Sequence, residues 1–159
     1  MDDFRQALAA LGSRADAIAR KLVDRWDRSA EQELGQKLPA GLDLDSLPEL
    51  IRALAAAAPV GPEDPAAVEM IRIALEHGKD RRHAGYADGV IFREYHLLRR
   101  FLWDELKQVG ASQQAIVGAI LHIDTAMTAA TSGSIHGYYL IDRPTDEDEL
   151  VRKPTRGPG

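Results

Sequence analysis

The residues that could do chemistry in this chain are concentrated in one stretch, EHGKDRRHAGYADGVIFREYHLLRRFLWDEL, residues 76–106. It contains three of the five histidines, together with several arginines and acids. Histidines serve in proteins as metal ligands, proton carriers, phosphoryl acceptors or heme ligands. The stretch also places an acid, Glu94, at a position where a helix is expected to be apolar. Each of these chemistries requires a particular spacing, which can be compared with the sequence.

The sequence lacks the residue spacing that most of these histidine chemistries require. The sequence has no HExxH motif and no histidine pair at i, i+4, so we expect no metal site. His83 and His96 are placed for exposure, as a phosphotransfer histidine is, but neither lies in an HxxKG-like context. The serines lie outside any G-x-S-x-G elbow, which leaves nucleophilic hydrolysis without support. His77 alone faces inward, which keeps a heme-binding or other small-ligand sensor as the alternative function.

Helical wheels identify the polar residues that face inward. Glu94 lies inside the apolar arc of its helix, while His96 lies on the opposite side. His77 and Arg81 are spaced i, i+4 on the preceding helix, and Asp124 lies at the margin of the apolar stripe of the following one. Because an unpaired buried carboxylate is costly, the pattern predicts an interhelical cluster of His77, Arg81, Glu94 and Asp124. Ordinary salt bridges explain such a cluster more simply than a ligand-binding or signal-sensitive site.

The elements that must position these residues are predicted to be helices throughout. Apolar residues at three- and four-residue steps indicate one long first helix from about Ser13 to Leu38, or one broken at Gly12. A short second helix ends before Pro59. The predicted fold is an all-α antiparallel bundle of about five helices. Start and stop signals for the last three helices are Asp64 with Pro65 and Gly85, Asp88 with Gly110, and Ser112 with an end near Ile141, weakened over TSGS.

Length and composition limit which fold and function classes are possible. A chain of 159 residues, 45% of them hydrophobic, predicts one domain, residues 1–142, without an apolar run of membrane length and without membrane insertion. Residues 143–159 are charged and rich in Pro and Gly, as is typical of a tail or linker. The net charge of −5 argues against a nucleic-acid surface, and the absence of cysteine excludes disulfides and thiolate sites. The N-terminus lacks a secretory signal, so the expected location is cytoplasmic.

A family resemblance is carried by residues 70–128. His77, Arg81, Gly85 and Tyr86 form an H-x3-R-x3-G-aromatic pattern, followed by REYHLLRR and then by the hydrophobic-Asp step in LHIDTAM. In order and spacing these motifs resemble the N-terminal domain of RsbRD-type RsbT co-antagonists of the bacterial stressosome. That domain is also found ahead of the catalytic core in bacterial sensor histidine kinases. The resemblance covers about residues 10–140.

The resemblance implies a non-catalytic, helical signal-input domain of a stress-response or two-component-type protein, related to heme-free globin-like modules. It implies no cofactor, and it implies a partner or effector module of STAS, PAS or kinase type. It does not name a stimulus. We also expect a homodimer. Trp103, which falls off the apolar arc of its helix, and Tyr139, near the edge of its own, are the candidate interface residues.

Overall fold

The computed structural model describes residues 3–33 and 46–140, with the backbone alone for residues 26–33. Within these ranges the chain is helical and contains no β-strand, which confirms the all-α bundle. The predicted end of the first helix at Leu38 and the predicted tail, residues 143–159, lie outside the described residues. The helices are α1 Phe4–Ser13, α2 Ala15–Glu33, α3 Ser46–Ala57, α4 Pro65–His83, α5 Asp88–Lys107 and α6 Gln113–Leu140.

Several predicted helix boundaries are confirmed. The Asp64 side chain caps α4 by accepting a hydrogen bond from a first-turn backbone N–H, and Pro65 is the first helical residue. Gly85 and Gly110 follow α4 and α5 with φ of +83° and +77°, a left-handed conformation that glycine adopts without steric cost. The Ser112 hydroxyl accepts a backbone N–H at the start of α6. These ends are predictable because each depends on one local residue.

Other predicted boundaries were wrong. The first helix is two helices, and the break falls at Arg14, with φ −103° and ψ 11°, rather than at Gly12. Gly12 lies inside α1, where an added Cβ would be 3.3 Å from the Cβ of Ala55. Asp88 is the first residue of α5 and not its cap, because the cap position is Ala87, which makes no side-chain hydrogen bond. The described ranges, 3–33 and 46–140, form six helices, one more than expected.

The closest helix contact joins α4 to α6 and depends on glycine. A Cβ added to Gly78 would lie 1.8 Å from the carbonyl oxygen of Ser134, and one added to Gly137 would lie 2.0 Å from that of Leu75. Both positions therefore exclude every residue except glycine unless the helices move apart. The TSGS segment, expected to weaken the helix, is helical throughout and supplies part of this contact. Small residues here allow close packing and do not end the helix.

The helices enclose one main hydrophobic core, and α6 packs along four of the other helices. Leu8, Ile18, Leu54, Leu98 and Met127 are at most 1% exposed and come from five different helices. The long helix α6 packs against α1, α3, α4 and α5. Burial of these side chains away from water is the main favourable contribution to the fold.

The length and composition of α6 correct one expectation. By these two criteria alone the helix could cross a membrane, so the chain does contain an apolar run of that length. In the bundle, 33% of the most apolar 18-residue segment of this helix is buried. Because α6 packs against four other helices, we describe it as a core helix, and Val117 and Leu121 give it an uncovered apolar surface as well.

Candidate functional site

The turn between α4 and α5 brings three of the predicted polar residues together. His77 and Arg81 lie one helical turn apart on the inner face of α4. Four residues, 84–87, separate α4 from α5 and reverse the chain direction. Glu94, in the second turn of α5, then faces both side chains. A short connection of this kind limits how far the two helices can shift past one another.

The Glu94 carboxylate is held from two sides. Arg81 donates two hydrogen bonds to it, Nε to Oε2 and Nη2 to Oε1, each 2.8 Å long. Nε2 of His77 lies 2.6 Å from Oε1, although its N–H direction departs from hydrogen-bond geometry. The exposures of His77, Arg81 and Glu94 are 2%, 1% and 3%. We call these residues the buried triad. Bidentate pairing of this kind is what makes a buried carboxylate tolerable.

The electrostatic environment keeps Glu94 ionised. Burial alone would raise the pKa of Glu94, but attraction from His77 and Arg81, with the Arg81 hydrogen bonds, outweighs burial and holds that pKa well below its ordinary value. Burial also raises the pKa of the neighbouring Tyr95 phenol, which therefore stays protonated. The carboxylate acts as a fixed counter-charge for α4 and does not exchange protons near neutral pH.

Hydrogen bonds continue from the buried triad to α6. The Tyr95 ring lies edge-on to the His77 ring, with ring centres 6.2 Å apart. Ser134 donates its hydroxyl hydrogen to the carbonyl oxygen of Ala74 at 2.7 Å, so Tyr95, also 2.7 Å from the Ser134 oxygen, is the donor to it. Ser134 is fully buried and was missed by the sequence reasoning. The small residues around it on α6 were the available signal.

The structure does not bring Asp124, the fourth predicted member, to this group. Asp124 Oδ1 accepts a hydrogen bond from the Trp103 indole at 3.0 Å and lies 3.2 Å from Nε of Arg99. Helices α5 and α6 run antiparallel, and Tyr95, next to Glu94, lies opposite Ser134. Ser134 is about 15 Å further along α6 than Asp124, at about 1.5 Å per residue. The helical wheel placed Asp124 on the correct face of α6, but its position along the helix axis is too far from Glu94 for contact.

A second buried carboxylate lies near the end of α5. Glu105 is 4% exposed, and its oxygens lie 2.9 Å from Nη2 of Arg14 and 2.7 Å from Nζ of Lys21. The contacts tie α5 to the break between α1 and α2. Glu105 is eleven residues after Glu94, about three helical turns, so the two acids share one face of α5. That spacing was the sequence signal for this second site.

The two candidate interface residues lie in different surroundings. Trp103 is half-buried, packs against the core, and has its indole N–H engaged by Asp124. Tyr139 is 46% exposed, and its hydroxyl donates to the carboxylate of Asp88. Tyr139 thus presents more free surface than Trp103 does.

The remaining histidines lie apart from the buried triad. His83, His96 and His136 are exposed. His122 is half-buried, and its ring stacks on Phe4 with ring centres 4.3 Å apart. Among residues 3–33 and 46–140, no three His, Asp or Glu side chains converge as metal ligands would.

Two adjoining open depressions lie between α5 and α6, with volumes of about 540 and 520 Å3. Phe92, Thr131 and Ser132 line both of them. One extends to Tyr139 and the other to Arg99. His77 and Arg81 line neither, so the triad is a packed group and does not form the wall of these depressions.

The comparison with protein families matches residues 15–139 of this chain to the RsbT co-antagonist protein rsbRD N-terminal domain. The comparisons with curated proteins and with solved structures gave no significant match. The matched range begins at α2, ends one residue before the end of α6, and contains the whole buried triad. The family match confirms the resemblance seen in the sequence motifs. This chain belongs to the family of RsbT co-antagonist rsbRD N-terminal domains.

Proposed function

We propose that this chain is a non-catalytic signal-input domain of a bacterial stress-response or two-component-type signalling protein. Membership of the family supports this function. The observation that carries the proposal is the buried triad. Its charged groups are paired with one another, and its residues are only 1–3% exposed. A catalytic acid, base or nucleophile must reach its substrate. Here the same residue types hold α4 against α5, so the domain acts through conformation or assembly.

The partner that we propose is an effector module of STAS, PAS or kinase type. The matched family is described as part of an RsbT co-antagonist, which supports a partner from this class. Since 33% of the most apolar window of α6 is buried within the bundle, this helix offers surface for such contacts. We place the domain in the cytoplasm, where these modules act.

Titration of the purified chain against purified STAS-type and kinase-type proteins encoded in the same genome tests this function. Isothermal calorimetry should show binding by at least one of them, and the phosphorylation output of that partner should change on binding. A chain that binds none of them, and whose gene deletion leaves the stress response unchanged, would contradict the proposal.

We also propose that the domain forms a homodimer through the first half of α6. Val117 and Leu121 lie one turn apart there and are 50% and 65% exposed. Leu121 is three residues before Asp124, which holds Trp103, so an apolar surface and a half-buried indole are close neighbours. This arrangement is typical of a subunit interface.

Light scattering of a Leu121→Glu variant tests the dimer. The measured mass should fall to that of one chain because the substitution buries a charge in the interface. Val68→Glu is the matched control, since Val68 is 58% exposed on α4, and its mass should equal that of the wild type. A wild-type chain with the mass of a monomer would refute the dimer.

The alternative, a small-ligand or heme sensor, requires a cavity lined by His77 and Arg81. The two described depressions are lined by other residues, and Nε2 of His77 lies 2.6 Å from Oε1 of Glu94. The geometry therefore favours the packed, protein-binding domain. A Soret band from the purified chain would favour the heme sensor instead.

A further inference from the structure

The two depressions between α5 and α6 join into one surface groove, which we call the α5–α6 groove. Its shared middle is formed by Phe92, Thr131 and Ser132, and it runs from Tyr139 at one end to Arg99 at the other. The stretch of α6 beside it, residues 128–139, is about 17 Å long at about 1.5 Å per residue. This length matches a helical segment of about three turns.

The floor of the groove is more apolar than its residue types indicate. Phe92 is 55% exposed in the shared middle, a large fraction for an aromatic ring. The hydroxyls of Thr128 and Thr131 donate to the carbonyl oxygens of Asp124 and Met127 in their own helix. Because these hydroxyls are satisfied, the methyl groups are the free parts of both side chains. The groove therefore offers apolar contacts to an occupant.

The solvent face of α5 beside the groove carries several basic side chains, of which His96 and Arg99 line the groove itself. Arg93, His96 and Arg100 are exposed and Arg99 is half-exposed. Between Gly89 and Trp103 the ionisable side chains of α5 that reach solvent are basic, and two acids flank this stretch, Asp88, which accepts from Tyr139, and Asp104. The α6 side adds one acid, Asp124, which Arg99 and Trp103 already engage. This local positive charge contrasts with the net charge of −5 for the whole chain.

We propose that the α5–α6 groove is the docking surface for an acidic amphipathic helical segment of the signalling partner. Apolar side chains of that segment pack against Phe92, and its carboxylates face Arg93 and Arg100 on the adjoining solvent face of α5. This combination is the helix-in-groove mode of recognition, with charge complementarity that speeds encounter and selects the partner. The proposal rests on the signal-input function, because it names the chemistry of the partner that function requires.

Fluorescence anisotropy with the full chain tests the docking surface. The probe is a labelled synthetic helix of about 14 residues, about four turns, with Glu on one face and Leu on the other. Two matched peptides carry Lys in place of Glu or Ser in place of Leu. The acidic amphipathic peptide should bind most tightly, and its affinity should fall as salt rises from about 0.05 M to about 0.3 M. Equal binding by the Lys peptide, or binding by none of the three, would overturn the proposal.

Variants locate the binding to the groove. Phe92→Ser and the double variant Arg93→Glu, Arg100→Glu should each weaken peptide binding by at least about tenfold. These side chains are exposed, so circular dichroism should show an unchanged fold. Val68→Ser, which removes an equally exposed apolar residue from α4, should bind like the wild type. Peptide binding unaffected by the groove variants, or a mass that drops to a monomer with Phe92→Ser, would overturn the proposal, the latter by showing a second copy in the groove.

The same variants separate this inference from the proposed function. If Phe92→Ser and the charge reversal leave partner binding unchanged, the docking role of the groove is refuted and the signal-input function stands. Peptide binding at the groove, with no signalling partner bound and no change in stress response, would refute the signal-input function and leave the chemistry of the groove intact.

Discussion

Replacing Glu94 by Gln removes the carboxylate charge that pairs with the buried Arg81 guanidinium. Arg81 is 1% exposed, and both of its 2.8 Å hydrogen bonds to Glu94 are charge-assisted in the wild type. Removing one partner of a buried pair costs about 3–5 kcal/mol, because the other charge stays desolvated. We expect Glu94→Gln to lower the free energy of unfolding by that amount. The melting temperature should fall by about 6–20 °C, at about 2–4 °C per kcal/mol for a chain of this size.

Urea denaturation followed by circular dichroism measures this loss, and two variants make it specific. Glu69→Gln is the control, since Glu69 also receives two Arg hydrogen bonds, from Arg72 at 2.9 and 2.6 Å, but on the surface. It should unfold at nearly the wild-type urea concentration. The apolar double variant Arg81→Met, Glu94→Leu should be as stable as the wild type or more stable. A Glu94→Gln variant within about 1 kcal/mol of the wild type would refute the reasoning, because the guanidinium would then have another source of solvation.

The pKa of Glu94 is lowered in the folded protein, so its contribution to stability is complete above the ordinary value of 4.5 and is lost as pH falls below it. An acid titration should therefore destabilise the wild type more steeply than the apolar double variant, and parallel titrations would contradict this. Gly78→Ala should cost about 3 kcal/mol or more by overpacking, because the new Cβ would lie 1.8 Å from a backbone oxygen of α6. Gly89→Ala, in open space on α5, should instead stabilise by about 0.5–1 kcal/mol, and equal effects in urea denaturation would argue against the close contact. Glu105→Gln should cost only about 1–2 kcal/mol, because its two partners are 40% and 53% exposed to screening solvent, and a loss as large as that for Glu94 would show that screening is absent.

The helical class and most helix ends were predictable because they depend on local residues. Asp64, Gly85 and Gly110 each act within one turn of the chain. The break at Arg14 was not predictable in this way, because neither Gly nor Pro occupies it. Arg14 lies 2.9 Å from Glu105, a residue far away in sequence. Tertiary contacts of this kind override local preference.

The site could be predicted only in part. A helical wheel shows which face of a helix a side chain lies on, but not where along the helix axis it lies relative to a neighbouring helix. His77, Arg81 and Glu94 meet because a four-residue connection leaves little freedom between α4 and α5. A tight hairpin between α5 and α6 would similarly have put Asp124 near Glu94. Instead the first two turns of α6 extend beyond the end of α5, and there Gly118 packs against Phe4 of α1. This register depends on a helix more than a hundred residues earlier, which no local pattern reveals.

Two close contacts, Gly78 with Ser134 and Gly137 with Leu75, hold one part of α6 against α4. Ser134 divides the helix into one arm of 21 residues toward Gln113 and one of 6 residues toward Leu140. At about 1.5 Å per residue these arms are about 32 and 9 Å long. The domain therefore holds α6 against α4 along its shorter arm, and the exposed Val117 and Leu121 lie on the longer arm, well away from those contacts.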